Sequence, residues 1–283
     1  MSKGAAKVGA LGLDAADVIT RINAPSTVSR RNLHGSVAHQ LATLIIGGRI
    51  KPGEVLPNEE ELSASLLVSR TAFREAMRLL AAKGLIVTRP KAGTKVAPRS
   101  QWNILDPDVL SWHFEVEPSP KFIIALFELR RIVEPAAAAL AAIRGGPSDH
   151  DTMTRALDRM REDPPGSVGG LEADLDFHHA ILQAADNVAL SALSSVIGST
   201  LRWSARLKLI ARPKVFQTSL PEHVLVMEAI IRADAKAASE RMTLLIDNSL
   251  KQTFEVLDEH GPALQAAADA AAASPTLMSA RPK

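Results

Sequence analysis

The feature that most constrains the fold is a short amphipathic stretch, residues 68–80, in which two arginines stand four positions apart. Because four residues make about one turn of an α-helix, Arg70 and Arg74 share one face, while the alanines and leucines between them fall elsewhere. Ser69 precedes the run and is a typical N-cap. A helix with an apolar rear and a front of Arg70, Thr71 and Arg74 fits the major groove of DNA. A solvated surface helix has the same pattern, so the flanking segments decide.

The flanking segments predict a winged helix-turn-helix domain over residues 31–98. The predicted elements are, in order, helices over 33–46 and 59–65, the arginine-bearing helix, and strands over 85–88 and 95–97. Gly47 and Gly48 end the first helix, and a basic turn joins the two strands. Two short helices separated by a tight turn, followed by a β-hairpin, are typical of DNA-binding proteins.

Charge and composition predict a second domain with a different task. Residues 1–99 hold 15 Lys and Arg against 7 Asp and Glu, a net charge of +8, whereas the remainder holds 18 against 24, a net charge of −6. A basic first third suits nucleic acid. The absence of cysteine excludes disulfides and thiolate zinc sites and suits the cytoplasm. No apolar run reaches membrane-spanning length, so no membrane partner is expected.

Several fixed spacings in the first domain resemble the amino-terminal domain of GntR-superfamily transcription regulators. The matching segments are Ile50–Pro57, Glu61–Leu62, Val68–Thr71, Arg74–Ala76, Leu79–Ile86 and Gly93–Val96. The resemblance implies that Ser69, Arg70, Thr71 and Arg74 present the base-reading surface to operator DNA. It also implies a wing that approaches the DNA backbone.

Further contacts to the DNA backbone are expected around this surface. Gly93, Thr94 and Lys95 belong to the wing, and Arg49 and Lys51 precede the helix-turn-helix. Arg49, Lys51 and Lys95 are the candidates for phosphate contacts, because a cationic side chain near the groove neutralises the phosphates. An ordinary solvated surface residue remains the alternative for each of these three.

The rest of the chain predicts an all-helical bundle. Apolar residues recur at helical spacing over about 120–144, 149–161, 171–186, 188–210, 221–232 and 235–259, with Gly and Pro breakers between them. We therefore expect a flexible leader over 1–30, a linker over 99–118, a helical effector-binding and dimerisation domain over 119–260, and a disordered Ala-rich tail over 261–283. The fold class is mainly α.

The helical part resembles the FCD effector domain of the FadR branch of GntR regulators. The matching segments are Glu128–Pro135, Asp174–His178, Glu222–His223 and the stretch from Ala229 to Met242. The segment from Pro98 to Trp112 is similar to the linker of sugar-acid regulators of the galactonate operon repressor type.

A candidate metal site lies in the helical domain. Asp174 and His178 are four residues apart, so a carboxylate and an imidazole share one helical face and can bind a divalent ion. His223, at the start of another helix, can complete the site. The resemblance implies a fourth histidine at about Leu245, and leucine cannot ligate. Zinc is the expected ion, with nickel and manganese as alternatives. A further alternative is that His178 is a polar cavity residue without metal.

Arg130 is the candidate for binding an effector, because its planar guanidinium can hold a carboxylate through two hydrogen bonds. The resemblance implies that role too, and an ion pair with Glu134 is the alternative. Arg202 and Trp203 are further candidates for lining the cavity, or else for packing.

Together these features predict a ligand-responsive repressor rather than an enzyme. A homodimer would place two arginine helices in successive major grooves, and a small carboxylate, such as the sugar acid galactonate, would release it. The alternatives are a metal-dependent helical enzyme with an accessory DNA-binding domain, and a DNA-binding protein whose helical domain only dimerises. No nucleophile elbow or phosphate loop supports the enzyme.

Overall fold

The computed structural model describes residues 33–56, 59, 68–89, 93–116, 118–163, 167–211 and 215–273. The chain divides into two compact units, one including Asn23–Pro118 and the other including Ser119–Ala266. The predicted leader over 1–30, and all but the first residue of the predicted helix over 59–65, lie outside the described residues.

The first unit contains the predicted helix over 33–46 and the predicted arginine-bearing helix. Its elements are α1 (Leu33–Ile46), α2 (Arg70–Ala82), β1 (Ile86–Arg89), β2 (Gly93–Val96), a 3-10 turn (Arg99–Gln101) and α3 (Pro107–Glu115). Ser69 caps α2 as expected, because its hydroxyl accepts a hydrogen bond of 3.2 Å from the backbone N–H of Ala72. Gly84, with φ of +73°, follows α2, and a Cβ there would lie 2.1 Å from the carbonyl oxygen of Gln101. The turn from α2 into β1 therefore requires glycine.

A short antiparallel hairpin forms the wing. β1 pairs with β2 in the register Ile86↔Val96 to Arg89↔Gly93, so the strands lie within one or two residues of their predicted positions. The segment before the helix-turn-helix covers the other edge of β2, since Leu56 donates to the carbonyl of Thr94 at 2.8 Å. Strand β2 is thus paired along both of its edges.

Residues 99–118, expected to be a linker, pack as part of the first unit. Helix α3 lies against α1, and Trp102 and Trp112 are buried in the same hydrophobic core as α1, α2 and the wing. Asp106 caps α3 and accepts a hydrogen bond of 2.6 Å from the ammonium of Lys83. Burial of these two large apolar side chains stabilises the packed segment relative to an extended linker, which explains the difference from the prediction.

The second unit is a helical bundle, as predicted. Its described helices are α4 (Pro120–Arg144), α5 (Pro147–Glu162), α6 (Val168–Ala184), the single turn α7 (Val188–Ser191), α8 (Ser194–Ala211), α9 (Val215–Ile231) and α10 (Ala235–Ala273). Helix α6 packs against α4, α5 and α8, and is buried along most of its length. Helix α4 continues through the buried Pro135. None of the helices among the described residues is both long and apolar enough to cross a membrane.

The last helix differs from the sequence prediction. Helix α10 continues to Ala273, well into the stretch from 261 that we expected to be disordered. Alanine has the highest helix propensity of the amino acids, so an Ala-rich segment that follows an existing helix can extend it without a packing surface.

Candidate functional site: a DNA-facing helix and a buried polar cavity

The front of α2 carries the residues predicted to read bases. Arg70, Thr71 and Arg74 are exposed, whereas Ala72 and Phe73 between them are buried in the core of the first unit. The alternation follows from the helical period, because positions 70, 71 and 74 share a face. The structure thus brings these three side chains together on one outward surface.

Arg74 has an acidic partner that the sequence did not reveal. Its Nε donates to both carboxylate oxygens of Glu59, at 3.0 and 3.1 Å. The Arg74 side chain remains 66% exposed, so the pair is worth little in stability and can exchange for another acceptor. Glu59 stands 15 residues before Arg74, and no local spacing rule relates two positions so far apart.

The wing and turn candidates lie on the surface around α2. Arg49, Lys51 and Gly93 are exposed, and Thr94 and Lys95 are half-buried on β2. The hydroxyls of Thr88 and Thr94 lie 3.0 Å apart across the hairpin. Gly93 has φ of +73°, which lets the chain turn into β2. Their role in binding phosphates stays a prediction.

The second unit encloses a small polar cavity. Helices α4, α6, α8, α9 and α10 each contribute side chains to its wall, including Arg130, Asp174, His178, His223 and Leu245. Its volume is about 30 Å³. A cavity of that size holds about two water molecules. It can therefore accept a metal ion or the head of a carboxylate, but not a whole six-carbon sugar acid unless it widens.

The three predicted metal ligands meet in this cavity. One oxygen or nitrogen atom from each of Asp174, His178 and His223 lies within 4.8 Å of the others, and all three residues are buried. Nε2 of His223 lies 2.9 Å from Oδ1 of Asp174, and Nε2 of His178 lies 3.7 Å from the same oxygen. The ring of Phe177 packs edge-on against both imidazoles. Two imidazole nitrogens thus converge on one carboxylate.

The hydrogen bonds behind these ligands orient them for a cation. Nδ1 of His223 donates to the carbonyl oxygen of Ser219 at 2.7 Å, and Nδ1 of His178 pairs with Oε2 of Glu134. When Nδ1 carries the proton, Nε2 presents a lone pair, which is the form that binds metal. A lone pair facing a carboxylate needs a proton or a metal ion between them. The donor set and its supporting hydrogen bonds therefore fit a divalent metal ion.

A buried ion pair supports His178 from behind. Nε of Arg130 donates to Oε1 of Glu134 at 2.6 Å, and both residues are about 1% exposed. Burial by itself raises the pKa of Glu134, but the charge of Arg130 and the hydrogen bonds with His178 and Arg130 outweigh it and hold that pKa at about 2. Burial likewise raises the pKa of Asp174, but its contacts with His223 and His178 outweigh it, so that pKa lies well below its usual value. Both carboxyls are ionised at neutral pH.

Arg130 forms the ion pair that was the alternative to effector binding, and its role in binding an effector stays a prediction. Its Nη1 is buried without a hydrogen-bond partner among the described residues, and Arg130 is one of the residues that line the cavity. A guanidinium with an unused donor can still bind a carboxylate. Glu134 was predicted only as a partner of Arg130. Its contact with His178 spans 44 residues of sequence and could not be read from spacing.

The structure places Arg202 and Trp203 away from the cavity wall. The cavity-lining residues of α8 are Leu201, Ser204, Ala205 and Lys208, which share one helical face. Arg202 is partly exposed and pairs with Glu172 of α6, and Trp203 is buried outside the cavity. The prediction that these two residues line the cavity was wrong, because a rotation of about 100° per residue turns them from this face.

Two further residues that line the cavity are Leu245, which is apolar, and Lys208, which carries an ammonium group. Leu245 occupies the wall at the position where the resemblance implied a fourth ligand, so that side of the site is apolar. Lys208, which sequence analysis did not single out, is 8% exposed, and its ammonium donates to the hydroxyl of Ser249 at 2.9 Å. Burial lowers the pKa of Lys208 to about 8, and attraction to Asp174 only partly offsets it.

A winged helix followed by a helical bundle with a buried polar cavity is the architecture of a DNA-binding regulator with a sensing domain. Family models agree: that of the gntR family of bacterial regulatory proteins matches residues 33–96, and that of the FCD domain matches residues 125–248. The chain belongs to the GntR family of transcription regulators and carries an FCD domain.

Individual proteins support the same assignment. The chain is 36% identical over 216 residues to the galactonate operon transcriptional repressor of Escherichia coli (strain K12), covering 76% of this chain and 94% of that protein. It is 31% identical to the uncharacterised HTH-type regulator YieP of the same organism, covering 80% and 97%. The solved structure described as "Lar controls the expression of the Listeria monocytogenes agr system and mediates virulence" has a TM-score of 0.60 at 16% identity. It covers 80% of this chain and 99% of that chain, and supports the fold alone. These relatives are transcription regulators, not enzymes.

Proposed function

We propose that this protein represses a sugar-acid catabolic operon as a homodimer, and that a small carboxylate such as galactonate releases it from DNA. The observation that carries the effector part is the buried cavity, where Nη1 of Arg130 lacks a partner beside a ready-made cation site. A buried donor without an acceptor is costly, so the site is built to receive an anionic group. The identity to the galactonate operon repressor supports the choice of a sugar acid.

The cavity residues bind and orient the effector in this proposal. Asp174, His178 and His223 would hold the metal ion, while Glu134 keeps His178 in the binding tautomer. When bound, the ion supplies positive charge and open coordination positions for effector oxygens. Leu245 offers no donor, so water or the effector itself fills the remaining positions.

The small volume of the cavity supports a conformational response. A six-carbon acid exceeds about 30 Å³, so in this proposal its binding widens the cavity. By linkage, the effector weakens DNA binding only to the extent that it prefers the widened form over the operator-bound form. The metal and the dimer are parts of this proposal, as is cytoplasmic location.

Fluorescence anisotropy with DNA from the protein's own promoter region tests the proposal. We expect D-galactonate to lower the affinity for this DNA at constant ionic strength, and D-galactose, which lacks the carboxylate, to leave it unchanged. Arg130→Lys, which keeps the positive charge beside Glu134 but cannot hold a carboxylate through two parallel hydrogen bonds, should bind DNA normally but respond more weakly to the acid. If no sugar acid alters DNA binding, the sugar-acid part is wrong.

Calorimetry and metal analysis distinguish an effector-binding helical domain from one that only dimerises. If the purified protein contains no metal and binds no small carboxylate, a domain that only dimerises is favoured. Sedimentation of the full chain tests the dimer in the same samples.

A further inference from the structure

Lys208 of α8 is a buried ammonium without a carboxylate partner. Its one recorded hydrogen bond in the described part of the chain goes to the neutral hydroxyl of Ser249, at 2.9 Å. Among the described residues, no carboxylate oxygen lies within 4.0 Å of the Lys208 nitrogen, which is the limit for an ion pair. Lysine is rarely buried unless a negative group pairs with it, because removing the ammonium from water costs several kcal/mol. The hydroxyl of Ser249 alone therefore leaves this ammonium without a direct negative partner.

Arg130 of α4 contributes a second cation to the wall of the same cavity, and its charge is paired with Glu134. Its Nε is used by Glu134, and its Nη1 is buried without a partner among the described residues. Lys208 and Arg130 stand on different helices, and both line the cavity that holds Asp174, His178 and His223. Lysine has three N–H donors, of which Ser249 takes one. Two cationic side chains with spare donors thus share an enclosed space of about 30 Å³.

We propose that Lys208 is a specificity-determining residue of the effector site, where its ammonium and the guanidinium of Arg130 together bind the anionic group of the effector. The inference rests on the proposed carboxylate effector and adds the residue that selects for it. Charge-assisted hydrogen bonds from two sides discriminate an acid from the corresponding neutral sugar, because a neutral group forms weaker hydrogen bonds with both side chains. The anion supplies a direct partner for the ammonium of Lys208, in addition to the long-range attraction of Asp174.

A structural role for Lys208 makes the opposite prediction for stability. If the ammonium served only to hold Asp174 by long-range attraction, removing it would destabilise the protein. If it is kept for the effector, replacing a buried, unpaired charge by an apolar group of similar length leaves the ligand-free protein equally stable or more stable. The two roles are therefore separable in one variant.

The test uses the full-length protein and the substitution Lys208→Met. Calorimetry and thermal unfolding are measured with sodium acetate and sodium D-galactonate, against equal sodium chloride. We expect Lys208→Met to keep or raise the Tm of the ligand-free protein and to weaken carboxylate binding about tenfold or more. Lys208→Arg, which keeps the charge, should retain part of the affinity.

Lys251→Met is the matched control. Lys251 lies on α10, is exposed and does not line the cavity, so its loss removes the same charge from the same unit. Carboxylate affinity should stay at the wild-type value. A proportional loss in both variants would mean that only overall charge matters, and would overturn the inference.

The remaining outcomes separate this inference from the proposed function. If D-galactonate binds wild type and Lys208→Met equally, the inference is overturned and the proposed function stands. If acetate binds with the expected dependence on Lys208 but D-galactonate does not bind, the inference stands and the sugar-acid assignment fails. If no carboxylate stabilises the wild-type protein, both are wrong. A drop in the ligand-free Tm of Lys208→Met would favour the structural role.

Discussion

The substitution Glu134→Gln removes the buried carboxylate that contacts both Arg130 and His178. Glutamine has nearly the same shape, so packing is preserved while the charge is lost. Arg130, 1% exposed, then keeps its charge without a carboxylate partner. Breaking a buried pair by removing one partner costs about 3–5 kcal/mol. For a chain of this length each kcal/mol lowers the Tm by roughly 2–4 °C, so we expect a fall of roughly 6–20 °C.

The same substitution should weaken metal binding for a separate reason. The glutamine amide can donate to Nδ1 of His178, which would place the imidazole proton on Nε2 and turn the ligand nitrogen into a donor. Loss of such a supporting contact typically costs 10- to 100-fold in metal affinity. Calorimetric titration with Ni²⁺ and differential scanning calorimetry measure the two effects on the same protein.

The dependence of stability on acid pH tests the contribution of the Glu134 carboxylate in a second way. The pKa of Glu134 is about 2 in the folded chain, below its ordinary value of 4.5, so its stabilisation is complete above about pH 4.5 and is lost as the pH falls toward 2. In Glu134→Gln that part of the pH dependence should be missing. Glu128→Gln, at an exposed position of the same helix, is the control. If Glu134→Gln unfolds within about 2 °C of wild type and binds Ni²⁺ as tightly, the buried pair does not support the site.

Further substitutions test the other parts of the molecule. Arg70→Ala should cost about 1–3 kcal/mol on the operator and less on random DNA, and an equal loss on both in anisotropy titrations would reduce Arg70 to a phosphate contact. Glu59→Gln removes the anion that holds Arg74, so affinity for random DNA should rise while discrimination falls; unchanged ratios would show that the pair is incidental. Leu245→His adds an imidazole to the cavity wall and should raise Zn²⁺ affinity at least tenfold by calorimetry, and no change would mean that this wall does not face the ion.

Local signals in the sequence were enough to place the boundaries of α1 and α2 in the first unit. Helix α1 ends where Gly47 and Gly48 begin, and α2 starts after the hydroxyl cap of Ser69, so both boundaries follow from neighbouring residues alone. The core contribution of Trp102 and Trp112 was missed, because their burial depends on α1, which lies far away in sequence.

In the candidate site too, contacts between residues close in sequence were predicted, and contacts between distant helices were missed. Asp174 and His178 were paired correctly, because positions four apart share a helical face. Lys208 and the contact of Glu134 with His178 were missed, since each depends on which helices meet in the bundle. The error at Arg202 is one of rotation, where a shift of two or three positions along α8 moves a side chain from the cavity to the surface.

The distribution of tryptophan gives each unit its own optical signal. The chain contains three tryptophans and no tyrosine. Trp102 and Trp112 are buried in the first unit, with the indole of Trp102 donating to the carbonyl of Ala97 at 3.0 Å. Trp203 is buried in the second unit, next in sequence to the cavity residue Ser204. Fluorescence excited at the red edge of the absorption band therefore comes from these three indoles alone. The substitution Trp203→Phe then yields a protein whose fluorescence reports on the DNA-binding unit without a contribution from the second unit.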